Sequence, residues 1–521
     1  GEVYNHDLLR SELEGRFAFS SRTDTEVVLA AWLQWGRACL DRFIGMFAFA
    51  IWDDRERVLH AARDRFGVKP LYYHCGTAAS GTGADSVWLA SQVGALLDAG
   101  VPRRADTTAW ADWLAHGIQD GCSESTGSRS FFDSVQALPA GCVLEWRDGR
   151  TRVARWYDLS ARVQHTDDRP VEDVSDELRG LLQTTIELRL KADVPIGVNL
   201  SGGLDSSLLF AGVRQARADQ AMRAYTFVTG SPDYDESVWV ERTLAGSPFT
   251  LTECRLDADD VPRMTDDLHA WEPLPFGGVP TLAYLRTFER ARADGVPVLL
   301  DGQGMDEQWA GYDYLVRSLS FEGPVSTVQG ANQPLRPNCL DPTFRAQATT
   351  AMEAPQSADR LRGLQLRDIS ITKLPRALRY SDRVSMFSSV ELREPFLDHR
   401  LVELALVQPA DRKVRDGAGK WLLRQLAADW LQPEHALAPK RPVQTPQREW
   451  LRGPLREWAG AAIETALREW TWLDADAARR EWASYQDGRG DNSYFVWQWV
   501  SLGLLTPMMR AGGADSTEPP E

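Results

Sequence analysis

The sequence lacks the patterns that mark several common classes of protein. Its six cysteines include no Cys-x-x-Cys pair, and its eight histidines include no His-Glu-x-x-His pair. These absences argue against a zinc site and a disulfide-bonded scaffold, and they favour the reducing cytoplasm as its compartment. No apolar run approaches the roughly 20 residues that a membrane-spanning helix needs.

Positive charge is also scarce. The 521 residues contain 58 Lys and Arg against 74 Asp and Glu, a formal net charge of −16. Proteins that grip nucleic acid or an anionic membrane surface carry a basic patch, so we expect neither partner. The 43% of hydrophobic residues and the 20 tryptophans, which we interpret as packing residues, indicate a large core. The composition favours a large acidic enzyme.

Residues 1–158 have the pattern of a layered α+β domain. Helical spacing at 24–42 precedes short apolar runs at 46–53 and 58–62, and further strand-like runs follow. Apolar runs of this length between turn residues predict strands. A polar stretch from 159 to 170 predicts a linker.

Residues 170–510 have a different pattern. Predicted strands at 194–200, 224–228 and 297–300 alternate with helices, which is typical of a parallel sheet with right-handed crossovers. The C-terminal part of this domain is mostly helical. Residues 511–521 are small, acidic and proline-containing, and predict a disordered tail.

One loop carries a clear chemical signal. Residues 201–207, Ser-Gly-Gly-Leu-Asp-Ser-Ser, follow a predicted strand and open a predicted helix. Backbone N–H groups at a helix N-terminus bind anions, and two glycines let the backbone approach a phosphate closely. The serine hydroxyls are hydrogen-bond donors, and Asp205 is a candidate ligand for Mg²⁺. The loop lacks the Gly-Lys-Ser/Thr ending of a Walker A motif.

This loop resembles the pyrophosphatase loop of N-type ATP pyrophosphatases, which adenylate a substrate and release pyrophosphate. Further segments resemble, in chain order, the glutamine-hydrolysing asparagine synthetase family of class B type. They lie at 1–6, 23–27, 45–50, 63–73, 301–307, 385–386, 390–400, 440–442 and 450–453.

The resemblance implies an α/β fold overall. Residues 1–158 would form an N-terminal α+β Ntn-hydrolase (glutaminase) sandwich. Residues 170–510 would form a parallel-sheet ATP pyrophosphatase (PP-loop) domain with a helical C-terminal part.

The resemblance also implies the reaction. The family hydrolyses glutamine in the first domain and passes ammonia to the second, where ATP activates a carboxylate as an acyl-adenylate that ammonia then attacks. ATP and Mg²⁺ are the implied cofactors, glutamine and a carboxylate the implied substrates, and a homodimer is compatible with the family.

The matching segments imply site residues. Those implied to bind glutamine are Gly1, Glu2 and Asp24. Those implied to bind ATP are Asn199, Ser201, Gly202, Gly203, Asp205, Ser206, Ser207, Phe227, Asp301 and Gly302. The implied Mg²⁺ ligands are Asp205 and Asp306, and Lys440 is implied to neutralise charge that develops on the phosphates or the tetrahedral intermediate.

The chain departs from the family at its nucleophile. The family uses an N-terminal cysteine, whereas Gly1 matches the middle of the glutaminase domain and no cysteine lies in a matching context. Either a preceding segment is missing from this sequence or the first domain cannot hydrolyse glutamine; we expect the missing segment, because Glu2 and Asp24 fit the family.

A second departure is Gln303, where asparagine synthetases usually have Glu. A neutral Gln cannot act as a general base, although it can orient a nucleophile. Our hypothesis is that Glu391 takes the proton while Gln303 orients the reacting groups. The alternative is that Glu391 is an ion-pair partner of Arg393, Arg383 or Arg400.

The acceptor stays open. Aspartate is the default, but Gln303 weakens it. The segments 443–450 and 494–499 look more like synthetase-like proteins of cell-surface polysaccharide or secondary-metabolite pathways, and this resemblance implies a sugar acid or a pathway carboxylate. Two further readings are an intramolecular amide synthetase of β-lactam or lasso-peptide type with a silent first domain, and a nucleotide-binding scaffold without catalysis.

Overall fold

The computed structural model describes most of the chain. The residues outside its description are 78–84, 118–121, 124–126, 218–220, 232, 321–333, 350–356, 358, 439–444, 491 and 511–521. The expected tail and the predicted catalytic residue Lys440 therefore lie outside the described residues.

The first 160 residues contribute eleven strands in the described part. They are β1 Glu2–Val3, β2 Gly45–Met46, β3 Ala48–Asp53, β4 Val58–Arg63, β5 Tyr72–Thr77, β6 Asp85–Ala90, β7 Cys122–Ser123, β8 Gly127–Arg129, β9 Gln136–Ala137, β10 Cys142–Arg147 and β11 Arg150–Arg155. The helices here are α1 His6–Leu13, α2 Asp24–Trp35, α3 Cys39–Arg42, α4 Val93–Asp98, α5 Thr107–His116 and α6 Leu159–Arg162.

Two antiparallel sheets form a sandwich in this region. One has the strand order β11-β10-β4-β3 and the other β6-β5-β9-β8-β7. Side chains of both sheets, such as Tyr73 of β5 and Leu144 of β10, share one buried cluster. Helices α1 and α2 cover the outer face of the first sheet through residues such as Val27 and Leu13. This confirms the predicted α+β sandwich, whose layers bury one apolar face each.

Helix α2 is shorter than the pattern predicted. It begins at the predicted residue, with the side chain of Thr23 accepting a hydrogen bond from the Glu26 N–H, but it ends at Trp35. Gly36 adopts a positive φ of 55°, which glycine reaches without a Cβ clash and which an α-helix cannot accommodate. The predicted helix over 24–42 is therefore interrupted at this glycine.

The remainder of the chain contains a five-stranded parallel sheet and many helices. Its strands, with those of a small hairpin, are β12 Ile196–Asn199, β13 Arg223–Val228, β14 Thr250–Arg255, β15 Val298–Leu300, β16 Glu391–Arg393, β17 Val414–Arg415 and β18 Ala418–Gly419. The first helices are α7 Val171–Arg189, α8 Leu204–Ala216, α9 Ser237–Leu244, α10 Val261–Trp271, α11 Val279–Ala293, α12 Met305–Gln308, α13 Asp313–Arg317, α14 Pro342–Arg345 and α15 Arg360–Arg367. The last are α16 Leu374–Phe387, α17 His399–Val407, α18 Ala410–Lys413, α19 Trp421–Ala427, α20 Pro433–Ala436, α21 Gln447–Arg452, α22 Arg456–Glu469, α23 Ala475–Gln486 and α24 Tyr494–Arg510.

The parallel sheet positions the chemistry. Its strand order is β14-β13-β12-β15-β16, and all four pairings are parallel. Strands β13 and β14 extend the sheet on one side of β12, and β15 and β16 extend it on the other side. The loops after β12 and β15 therefore leave the sheet side by side. Ligands of open parallel sheets bind at such a switch point, beyond the carboxyl ends of the strands. The predicted PP-loop architecture is confirmed.

The two parts of the chain share a buried interface. Tyr4 and Phe66 of the sandwich pack with Leu378 and Val402 of the second part in one apolar cluster. Lys69 Nζ also lies 2.9 Å from Asp382 Oδ1, with both side chains largely buried. Tryptophans pack the cores rather than form an exposed platform, as Trp110 and Trp497 are fully buried.

Candidate active site

The loop after β12 is closed by its own serines. Ser206 Oγ accepts a hydrogen bond from the Ser201 N–H at 3.2 Å and donates to the Gly203 carbonyl, also at 3.2 Å. Gly202 has a φ of 71°, in the left-handed region that favours glycine. The loop therefore turns tightly from the sheet into the N-terminus of α8, where N–H groups are oriented to receive an anion.

The loop after β15 packs directly against it. A Cβ on Gly302 would lie 3.1 Å from the Ser206 nitrogen, so a larger residue would push the two loops apart by a few tenths of an ångström. Asp301 Oδ1 accepts hydrogen bonds from the Gly302 N–H at 2.9 Å and from Asn199 Nδ2 at 3.4 Å. Burial raises the pKa of Asp301 to about 6. Asp301 and Asn199 thus hold the two loops together from behind.

Two carboxylates and one lysine meet where the loops converge. Lys420 Nζ lies 2.6 Å from both oxygens of Asp205 and 2.5 Å from Asp306 Oδ1. Burial alone would lower the pKa of Lys420, but the two carboxylates raise it overall. Gly311 makes room for this cluster, because a Cβ there would collide with Asp306 and with the lysine Cε.

Lys420 is the site residue that sequence reasoning missed. It follows the β17–β18 hairpin, more than 200 residues after the first loop, and precedes α19 with a positive φ of 61°. A lysine held in that strained conformation and almost fully buried indicates a functional constraint. The available sequence signal is a lone lysine between a glycine and an apolar helix, which is too weak to single it out.

A cavity of about 990 Å³ opens in front of this cluster. Ser201, Gly202, Gly203, Asp205, Ser206, Gln303 and Asp306 are the predicted site residues that line it. Four other predicted residues are not among the lining residues: Asn199, Phe227, Asp301 and Gly302.

Ser207 faces away from the cavity. Its fully buried hydroxyl lies 3.3 Å from the Thr243 hydroxyl of α9, while its N–H bonds the Gly203 carbonyl inside the helix. The side chain therefore anchors α8 on α9. A direct hydroxyl contact to a phosphate, expected from the loop pattern, is not available in this arrangement.

Glu391 forms the ion pair that the sequence analysis gave as the alternative. Its Oε1 lies 2.6 Å from Arg393 Nε, at the amino end of β16. The Arg393 guanidinium also donates to the carbonyls of Arg189 and Lys191. Glu391 is not among the residues that line the cavity in the described part of the chain.

Glu394 is the carboxylate nearer to the loop of Gln303. It is 4% exposed, and the Gln303 N–H interacts with it. Burial, reinforced by the negative charge of Asp301, raises the pKa of Glu394 well above its usual range.

The residues predicted to bind glutamine form a separate group. Asp24 Oδ2 accepts a hydrogen bond from the Val3 N–H at 2.9 Å, which ties α2 to β1. Glu2 Oε1 lies 3.4 Å from Arg393 Nη2 of the second part. Burial and the charge of Glu391 raise the pKa of Glu2. Gly1 lies against Met46, where a Cβ would meet the Met46 carbonyl.

The carboxylate cluster fits Mg²⁺ bound together with phosphates. Asp205 and Asp306 oxygens already surround one cation, and they are at most 5.1 Å apart, the sum of their distances from Lys420 Nζ. Mg²⁺ is commonly held by one or two carboxylates plus substrate phosphates, with ligands at about 2.1 Å. Among the described residues no group of three or more His, Cys, Asp or Glu side chains could hold a metal by itself.

No helix in the described ranges is long and apolar enough to cross a membrane. Among the cysteines whose side chains the structure describes, Cys39, Cys75, Cys254 and Cys339 are free thiols.

A layered α+β sandwich joined to a parallel sheet with two phosphate-type loops defines the class of ATP pyrophosphatases that carry an amidotransferase domain. A family model described as asparagine synthase matches residues 177–509, and one described as a glutamine amidotransferase domain matches residues 1–157. The chain belongs to the asparagine synthase family. It is a ligase that forms C–N bonds with glutamine as nitrogen donor, uses ATP and acts on a carboxylate.

Relatives of this chain carry two kinds of name. "Asparagine synthetase [glutamine-hydrolyzing] 3" of Bacillus subtilis is 27% identical, over 88% of this chain and 76% of that protein. "Asparagine synthetase [glutamine-hydrolyzing] 1" of the same organism is 26% identical, over 89% of this chain and 78% of that protein. "Amidase chyE" of Penicillium rubens is 25% identical, over 87% of this chain and 77% of that protein.

Proposed function

We propose that this chain adenylates a carboxylate with ATP and converts it to an amide with ammonia from glutamine. The observation that carries the proposal is the cluster of Asp205, Asp306 and Lys420 between two phosphate-type loops. In the reaction, a carboxylate oxygen attacks the α-phosphorus and the bond to pyrophosphate breaks. Ammonia then forms the C–N bond, and AMP leaves with the carboxylate oxygen.

The residues take the following roles. N–H groups of residues 202–206 bind phosphate oxygens, and Lys420 neutralises charge that develops on them. Asp205 and Asp306 hold Mg²⁺, which supplies further positive charge to the phosphates. We also propose that Lys440 acts as the family implies. The boundaries 1–158 and 170–510 for the two domains, with a tail at 511–521, remain our proposal.

Aspartate or another pathway carboxylate is the acceptor in this proposal. The relatives named asparagine synthetases support aspartate, while the amidase name supports a different acid. Gln303 lines the cavity and can orient the attacking nitrogen but cannot take its proton. Glu391 as the proton acceptor remains a hypothesis. Its carboxylate is engaged in an ion pair with Arg393, which favours the alternative structural role.

The test is pyrophosphate release from ATP and Mg²⁺ with a panel of carboxylates and ammonium. We expect release of AMP and pyrophosphate in equal amounts and an amide product. Asp306→Asn should abolish release, while Asp429→Asn, at an exposed ion pair with Arg179, should not. No release with any carboxylate would refute the proposal, and an intramolecular amide formed without any added nitrogen donor would indicate ring closure instead.

Glu391 has its own test. If it accepts the proton, Glu391→Gln should slow amide formation while leaving ATP-dependent pyrophosphate release in place. If it serves only the ion pair with Arg393, both activities should fall together with the stability of the protein. Near-normal amide formation in Glu391→Gln would refute the hypothesis.

A further inference from the structure

The cavity has two unlike walls. The phosphate side contains the two loops, Lys420, Arg424 and the β17–β18 hairpin. The other wall is formed by α11, by α13 with the residue before it, and by α16. Its lining residues are Pro280, Thr281, Tyr284, Tyr312, Asp313, Val316, Ala377, Tyr380, Ser381 and Val384. We call these ten residues the acceptor wall.

The acceptor wall is apolar and aromatic. Residues 377, 380, 381 and 384 recur at helical spacing and therefore present one face of α16 to the cavity. Three tyrosine rings and three aliphatic side chains make up most of this wall. Asp313 is its single charged side chain, so in the described part of the chain the wall contains no cation for an anionic group of the substrate.

The start of α11 does not replace the missing cation. A helix N-terminus often binds a carboxylate, but here its N–H groups are used. Gln447 Oε1 accepts from the Val279 N–H at 2.8 Å, Pro280 has no N–H, and the Thr281 N–H donates to the Gly278 carbonyl at 2.9 Å.

Nearby cations lie outside the lining of the wall. The positive charges of Arg376, Arg379 and Arg383 act on Tyr380, but none of these three arginines is among the residues that line the cavity. Lys373 Nζ lies 5.1 Å from the ring centre of Tyr312, behind the wall rather than in its lining. On the phosphate side, the Arg424 guanidinium donates to the Ala436 and Ala438 carbonyls, and Arg415 lies 3.6 Å above the Trp421 ring.

We propose that the acceptor is a monocarboxylate with an aromatic or otherwise apolar body, and not a dicarboxylic amino acid. The single carboxylate would face the phosphate loops and the apolar body would pack on Tyr284, Tyr380 and Val384. A second carboxylate, as in aspartate, would be desolvated against tyrosines with no cation among the described lining residues of the wall, and it would lie near the negative charge of Asp313, which is unfavourable. This inference rests on the proposed function, since it assigns the acceptor of the same site.

Binding and turnover are measured separately. Calorimetry with Mg²⁺ and α,β-methylene-ATP, which blocks adenylation, would compare phenylacetate and 3-phenylpropanoate with L-aspartate and glutarate. We expect saturable binding of the aryl acids and at least about tenfold weaker binding of the dicarboxylates. Equal or tighter binding of L-aspartate would overturn the inference, and so would the absence of binding by both aryl acids.

Pyrophosphate release with ATP then tests the proposed function independently. Release that is fastest with L-aspartate would support the proposed function and overturn the inference. Selective binding of the aryl acids without any release, from them or from other acids, would support the inference about the wall and refute adenylation.

A variant pair makes the assignment specific to the wall. Val316→Arg places a cation on the half-buried cavity side of α13, and Leu319→Arg makes the same change at an exposed position that does not line the cavity. We expect Val316→Arg to shift the preference toward L-aspartate by at least about tenfold and Leu319→Arg to leave it unchanged. An identical preference in all three proteins would overturn the assignment.

Discussion

Replacing Lys420 with Met would test the phosphate cluster most directly. Met keeps an unbranched side chain that is one atom shorter and removes the charge, so Asp205 and Asp306 would face each other without the lysine ammonium between them. Removing one partner of a buried ion pair costs about 3–5 kcal/mol. Because the carboxylate side chains are 20% and 23% exposed, water stabilises them in part, and we expect the lower end, about 3 kcal/mol.

The variant should also change the response to metal. In the wild-type protein Lys420 competes with Mg²⁺ for the two carboxylates, whereas in Lys420→Met the carboxylates are freed for the metal. We therefore expect Mg²⁺ without nucleotide to stabilise the variant more than the wild type. Pyrophosphate release should fall about 10²–10³-fold, the usual effect of losing one group that stabilises transition-state charge.

The assay is urea unfolding at several Mg²⁺ concentrations, beside pyrophosphate release with saturating ATP. The matched control is Lys191→Met, because Lys191 pairs with Asp7 at 2.9 Å but its side chain is 45% exposed. Such a surface pair contributes about 0–1 kcal/mol, and no Mg²⁺ dependence is expected there. Wild-type stability in Lys420→Met, or the same Mg²⁺ response in all three proteins, would refute the reasoning.

Three further predictions follow from the loops. Ser206→Ala should slow pyrophosphate release about tenfold or more by loosening the first loop, whereas Ser207→Ala should stay near wild type, since its hydroxyl faces α9; the reverse order in a rate comparison would contradict this. Gly302→Ala should impair nucleotide binding without altering the circular dichroism spectrum, because its Cβ would press on the Ser206 nitrogen; unchanged affinity in calorimetry would count against the close approach. Burial raises the pKa of Asp301 to about 6, so the folded protein binds a proton there more tightly than the unfolded chain and loses stability as pH rises from about 4 through 6. Asp301→Asn should therefore gain thermal stability relative to wild type between pH 5 and 8, and a constant difference across that range would contradict the assignment.

Local patterns were sufficient to predict the fold and the first phosphate loop. The apolar runs at 194–200 and 297–300 predicted strands β12 and β15, and the Gly-rich loop between β12 and α8 is where the sequence places it. The structure brings Asp306 to Asp205 through one lysine, as expected of two candidate ligands of one metal.

Side-chain direction was harder to predict. The loop pattern treated Ser206 and Ser207 alike, but one step along a helix rotates a side chain by about 100°. Ser206 therefore lies in the loop while Ser207 packs on Thr243. Lys420 could not be predicted, because its place beside Asp205 depends on a tertiary contact between distant segments and on a left-handed backbone that no local pattern encodes.

The acceptor wall is the part of the site about which family membership says least. The segments that carry the resemblance, such as 201–207 and 301–307, contribute to the phosphate side. The acceptor wall comes from α11, α13 and α16, whose residues 280–284, 312–316 and 377–384 belong to none of those segments. Adenylation chemistry depends on the first set, while the fit of the acid depends on the second. A chain can therefore keep the reaction of its family and take a different acid. The described lining of the wall around Tyr380, which contains no cation, is the physical reason to test acids other than aspartate first.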